Sequence, residues 1–364
     1  MKIILIAGAR PNFMKISPLM AAFAKRNSID AMLVHTGQHY DEAMSDLFFR
    51  QLGIPEPDVN LEIGSASHAV QTAEIMREFE PICIEQQADV VLVVGDVNST
   101  IACGLVAVKL GVKLVHVEAG LRSFDRTMPE EINRLLTDAI SDLLFCTETS
   151  GAENLRNEGV AEEKIFLVGN VMIDTLLANR AKADASSVLD NLSLTAGEYA
   201  ALTLHRPANV DDPKVLSGLL DALEQIAADM PIIFPCHPRT QKNIAALGLA
   251  DRVESMRNLR IVEPMGYLDF LKLMSAASLV LTDSGGIQEE TTILKVPCLT
   301  LRNSTERPIT AEVGSNRIVG ANPKDILAAY DDFKAGRKPP MGTPDLWDGC
   351  AAERIADVLI DKLG

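Results

Sequence analysis

The chain has 364 residues, 47% of them hydrophobic, enough apolar material for two ordinary cores. Its formal charge of -16 repels nucleic acid and anionic membrane surfaces, and no concentrated basic stripe offsets it. The 6 cysteines form no C-x-x-C pair, the apolar N-terminal run stops at Gly8 before Arg10-Pro11, and no run is long enough to span a bilayer; the expected protein is cytoplasmic with reduced core cysteines.

Short runs rich in β-branched residues alternate with stretches of helical period. Strands are expected at Ile3 to Ala7, Ala31 to Thr36, Val90 to Val94, Lys113 to Val117, Leu143 to Thr147 and Ile165 to Val168. Helices are expected between them, at Lys15 to Arg26, His68 to Gln87 and Ser99 to Leu110. An Ala/Asp/Ser-rich segment, AKADASSVLDNLSLTAGE, reads as a linker region. A second series follows, with strands at Tyr199 to Leu204, Ile232 to Cys236, Leu259 to Val262, Leu279 to Leu281, Val296 to Leu301 and Arg317 to Val319. Such alternation predicts βαβ units and parallel sheets, hence an α/β chain of two doubly wound domains facing a cleft.

Parallel sheets bind ligands at the C-terminal ends of their strands. That rule selects Gly8 to Asn12, Gly95-Asp96, Glu118 to Gly120, His205-Arg206, His237 to Arg239 and Asp283 to Gly286. TDSGGIQEE opens a helix with Ser284, Gly285 and Gly286, whose amides suit an anion; an ordinary capped helix start is an equal reading. ARPNFMK has no G-x-G-x-x-G, so the dinucleotide fingerprint is absent, but Arg10 and Lys15 offer cations to a phosphate. LRNSTERP places Arg302 and Arg307 after a strand, where anion binding competes with a surface ion pair. HRPANVDD and CHPRT each set a histidine beside an arginine; His205 is the preferred acid or electrostatic group and His237 a substrate contact. In LVHVEAGLRSFDRTMPEEINR, Thr127 to Glu130 fits a capping box, and Glu130 with Arg134 fits a routine i,i+4 pair. Glu118 has no such structural excuse, and Asp96 repeats its position after VVLVVG, so carboxylates from two strands converge as acid/base chemistry requires. No cysteine or carboxylate shares a ligand-like spacing with the scattered histidines, so no metal is expected.

These segments resemble the non-hydrolysing UDP-N-acetylglucosamine 2-epimerases. The matching motifs are ARPNFMK, TGQH, VVGDVNST, HVEAGLRS, PEEINR, TETS, VGNVMID, LHRPANVD, HPRT, TDSGGIQEE, LRNSTERP and VGSNRIVG, in order from the first strand to about Gly320. The resemblance implies the glycosyltransferase-B architecture, two Rossmann-like domains with the nucleotide-sugar in the interdomain cleft. It places the N-terminal domain at residues 1–170, the UDP-binding domain at 171–345 and a returning C-terminal helix at 346–364. It implies interconversion of UDP-GlcNAc and UDP-ManNAc by elimination of UDP to 2-acetamidoglucal and re-addition, without a cofactor, supplying ManNAc-type sugars for cell-surface polysaccharide. Asp96, Glu118, Glu130 and His205 fall on the family's catalytic positions; which of them moves the C2 proton stays open. Arg10, Lys15, Ser284, Gly285 and Arg307 match positions near the diphosphate and nucleotide, Glu290 matches a ribose contact, and Arg134 orients the carboxylates. A homodimer is implied.

Departures stand beside the matches. In members activated by a second UDP-GlcNAc, glutamine and histidine stand where Gln38 and His39 are, but Asp41 replaces a further glutamine and no arginine lies near Ser65 to Ser67. Alternatives are an epimerase of a related UDP-2-acetamido sugar, a hydrolysing epimerase, a glycosyltransferase on the same fold, or a nucleotide-sugar sensor.

Overall fold

In the computed structural model, which describes residues 1–37 and 52–364, every assigned strand belongs to one of two all-parallel sheets. The chain divides into one unit of Met1–Ala178 with Asp345–Gly364, and a second of Asn179–Pro344. The side chain of Arg10 and the residues Gln38, His39 and Asp41 lie outside the described residues.

The first unit orders its seven strands β3-β2-β1-β4-β5-β6-β7: β1 Lys2–Ala7, β2 Asp30–His35, β3 Val59–Asn60, β4 Val90–Val94, β5 Lys113–Val117, β6 Leu143–Cys146 and β7 Ile165–Leu167. Its central strands are apolar on both faces because crossover helices cover both sides; all five residues of β4 are buried. The second unit orders six strands β10-β9-β8-β11-β12-β13: β8 Ala200–Thr203, β9 Ile232–Pro235, β10 Leu259–Val262, β11 Leu279–Thr282, β12 Cys298–Thr300 and β13 Asn316–Ile318. Strand order reverses between β1 and β4 in one sheet and between β8 and β11 in the other. Those are the points where loops splay apart and leave a crevice.

All the expected strands are present, their ends shifted by no more than a residue or two. Only β3 escaped the sequence, since two residues on an edge carry no periodic signal. The first helix starts earlier than expected, at Arg10. The Asn12 side chain turns back to accept from the Gly8 and Ala9 amides, and Pro11 sits in the first turn where its missing N–H costs nothing. Lys15 therefore lies in the second turn. The segment 181–198 is no free linker: Ser186 bonds Asp269, Arg260 bonds the Leu192 carbonyl, and a short helix forms at Val188–Asn191.

The last helix, Ala351–Leu363, packs on the helix Arg10–Phe23. Asp174 accepts from the Ala351 and Ala352 amides at its start, Trp347 donates to the Thr147 carbonyl, and Arg26 reaches Glu353 and Asp357. Among the described residues no helix is long and apolar enough to cross a membrane. Five cysteines are buried and free; burial pushes the Cys236 and Cys298 thiols up to about 12, which makes them poor nucleophiles.

Candidate active site

The first unit gathers its charge at the C-terminal ends of β4 and β5. Glu118 follows β5 directly, is only 5% exposed, and takes the left-handed conformation with φ +74°. A non-glycine residue there is held by its surroundings at a cost of about 1–3 kcal/mol. The amides of Glu118 and Ala119 both donate to the Phe145 carbonyl, and Gly120, at φ +78°, completes the turn. Lys15, itself buried, forms an ion pair with Glu118, so its ammonium faces a carboxylate of the same unit. Asp96 follows Gly95 at the end of β4 and takes two bonds from Arg134, at 3.0 Å from Nε and 2.7 Å from Nη2.

Arg134 is buried, not the surface half of an i,i+4 pair with Glu130. Its remaining arm donates to Glu131 at 2.6 Å, and Glu131 in turn accepts from Ser123 and Phe124. The expected capping box does not form either. Met128 is the N-cap, Thr127 bonds Asp125 instead, and Glu130 opens the helix Pro129–Ile140 half-exposed, with no capping duty. This helix is inside out. It buries Glu131, Asn133, Arg134, Thr137 and Asp138 while Ile132 and Leu136 face outward.

The second unit has its own cluster at β8 and β11. Asp283, fully buried, accepts from the amides of His205 and Arg206 and lies 2.9 Å from His205 Nδ1. Burial alone would raise its carboxyl, but the His205 ring and those amides outweigh it and hold it below the usual range. Asp283 thus fixes the half-exposed His205 ring with Nε2 turned away from it, the arrangement of an oriented acid or base. His237 is exposed and caps the helix Pro238–Ala246 by accepting from the Arg239 amide.

Ser284 precedes the helix Gly285–Leu294 and gives it no side-chain cap, so its first amides have no partner within the helix. A Cβ on Gly285 would lie 2.6 Å from Arg307 Nη1, so the guanidinium rests against that helix start. Arg307 is held by Glu289 at 2.6 Å, and the buried Glu306 grips Arg302 through both oxygens. Although burial opposes ionisation, Arg302, Arg307 and Arg206 together hold the Glu306 carboxyl far below the usual range. The net result is a cationic shelf beside a helix N-terminus, suited to a diphosphate.

Glu290, deeper in the same helix, accepts from Tyr267 at 3.1 Å. Burial pushes its carboxyl up to about 8, the Tyr267 bond opposing and Glu289 adding to the rise. In the unfolded chain this group ionises near 4.5, so between about pH 4.5 and 8 the unfolded state binds fewer protons and stability falls as pH rises. Glu290→Gln cannot ionise. Without ligand it should melt several degrees above the parent at pH 9 and at the parent's temperature at pH 4.5, as thermal unfolding at the two pH values would report. An equal offset at both would contradict the neutral carboxyl.

The family model of UDP-N-acetylglucosamine 2-epimerase matches residues 21–360. The chain belongs to the UDP-N-acetylglucosamine 2-epimerase family. It is 45% identical to the UDP-N-acetylglucosamine 2-epimerase of Methanocaldococcus jannaschii, with 99% of each chain covered. A crystal structure of that archaeal enzyme in complex with UDP-GlcNAc and UDP superposes with a TM-score of 0.92, covering 99% of this chain and 100% of that one at 44% identity. The UDP-2,3-diacetamido-2,3-dideoxy-D-glucuronate 2-epimerase of Pseudomonas aeruginosa is 40% identical, again over 99% of each chain. The two parallel-sheet units are those of a 2-epimerase of the glycosyltransferase-B type.

For this 2-epimerase the sequence alone did not single out His116, Glu131, Asp138 or Tyr267, read Glu306 only as a member of a surface ion pair, and marked Asp283 only as a strand end. The one available signal was the polar stripe Glu131, Arg134 and Asp138, which repeats at helical spacing.

Proposed function

We propose that this chain interconverts UDP-N-acetylglucosamine and UDP-N-acetylmannosamine. The carrying observation is Glu118, a buried carboxylate in a strained backbone conformation at the ligand-binding edge of the sheet, one strand from the Arg134-bound Asp96. The C2 of such a sugar is not next to a carbonyl, so direct deprotonation is poor chemistry. In the proposed path a base removes the C2 proton, the C2–H pair becomes the C1=C2 bond, and the C1–O bond breaks with its electrons leaving on UDP. The reverse addition re-forms C1–O and delivers a proton to C2 from the other face. No electrons are gained or lost overall.

The residue types match those charges. Positive charge develops on the sugar, where Asp96, Glu118 and Glu130 act, and His205, oriented by Asp283, serves as acid or electrostatic partner. Negative charge develops on the diphosphate, which Arg10, Arg307 and the amides at Ser284, Gly285 and Gly286 receive. Glu290 takes the ribose, His237 contacts the substrate, Lys15 and Arg134 hold the carboxylates, and the cytoplasm is the working compartment. We also infer a homodimer, supported by Ile132, Leu136, Val108 and Ile84, exposed on neighbouring helices of the first unit, and by Leu110 just past the end of one of them. Sedimentation at micromolar concentration should give twice the chain mass, and a monomer would refute it.

The test is proton NMR of UDP-GlcNAc with the protein in D2O, without acceptor. UDP-ManNAc carrying deuterium at C2 is expected; free ManNAc would indicate hydrolysis instead. The P. aeruginosa relative favours one second reading, epimerisation of a UDP-2,3-diacetamido sugar acid. Deuterium entering that sugar while UDP-GlcNAc stays unchanged would select it.

A further inference from the structure

One buried charge network is not used by the chemistry above. His116 lies within β5, fully buried, with Nε2 2.8 Å from the Gly95 carbonyl and Nδ1 2.6 Å from Asp138 Oδ1. The second oxygen of Asp138 accepts from the Gly120 amide at 3.0 Å and lies 2.7 Å from Arg122 Nη1. Arg122 continues outward, through two bonds, to Glu158. Burial would raise the Asp138 carboxyl, but His116 and Arg122 outweigh it and hold it below the usual range, so it is ionised at neutral pH. The ring thus bridges two groups, the Gly95 carbonyl on one side and the Asp138 carboxylate on the other.

The positions of the partners matter more than their charge. Gly95 immediately precedes Asp96, and Gly120 closes the left-handed turn that presents Glu118. His116 and Asp138 therefore tie the turn after β4 to the turn after β5 through a single rigid link. The buried part of this network gains little stability from its charges, because desolvation offsets their attraction. What such a link supplies is geometry, and a shift of about 1 Å in a reacting group costs about 10²-fold in rate.

We propose that His116 and Asp138 are positioning residues that set the separation of Asp96 and Glu118. This rests on the epimerase reading above. The test uses the near-isosteric variants His116→Gln and Asp138→Asn of the full chain, with the kcat and KM for UDP-GlcNAc and the Kd for UDP. The expected result is a kcat about 10²-fold lower with KM and the UDP Kd within about twofold of the parent, together with free UDP and 2-acetamidoglucal escaping during turnover. A kcat within twofold of the parent in a variant that binds UDP normally overturns the proposal. Should both variants lose UDP binding through misfolding, Glu158→Gln at the exposed end of the network decides: a kcat down about threefold or more at unchanged KM supports the link, and a parental kcat overturns it. A parent that epimerises neither UDP-GlcNAc nor the UDP-2,3-diacetamido sugar acid overturns the epimerase reading and this one with it.

Discussion

Glu118→Gln should lower turnover of the UDP-sugar by 10³-fold or more while UDP binding stays within about twofold of the parent. A positioned acid or base contributes about 10²–10⁴-fold, and a glutamine neither takes nor gives the C2 proton. The substitution keeps shape but leaves Lys15 buried without its counter-ion, which is destabilising by itself. The double variant Lys15→Met with Glu118→Gln separates the two effects. It should regain thermal stability and remain inactive, as melting temperature and NMR-detected turnover would show. Activity returning in the double variant would mean that Glu118 only balances Lys15, and a direct catalytic part for it would fall.

Gly120→Ala should strongly destabilise the first unit. At φ +78° an L side chain is strained, and its Cβ would lie 2.2 Å from the Gly151 carbonyl oxygen, a backbone atom that cannot rotate away. Left-handed strain of about 1 kcal/mol adds to overpacking of about 1–3 kcal/mol, so a loss of about 3 kcal/mol is expected in urea unfolding followed by a first-unit probe. Turnover of the surviving folded protein should fall as well, because the same turn presents Glu118. Gly159 at φ +85° is the control: no atom lies within 4 Å of its added Cβ, so Gly159→Ala bears the strain without the clash. Equal losses at the two sites would remove the packing argument.

What the sequence determined by itself was the alternation of strands and helices, the parallel sheets, and the strand ends at which Asp96, Glu118, His205 and Ser284 stand. Those features are local: a buried strand is an apolar run, and a ligand edge is whatever follows it. Only the tertiary structure decided which face of the helix Pro129–Ile140 turns inward. Periodicity reports a stripe of charge and a stripe of leucines but not which of them finds a partner. Here Asp96, His116 and Arg122 make the charged stripe the buried one, leaving Ile132 and Leu136 outside. The left-handed backbone of Glu118 was equally hidden, since it is imposed by Phe145 and Gly120 packing rather than by the glutamate's own preference. So were the pairs that orient the site, His205 with Asp283, Arg134 with Asp96 and Arg307 with Glu289. Their members come from separate strands and helices, and a bond between side chains distant in sequence has no local signature until the sheet brings the strand ends together.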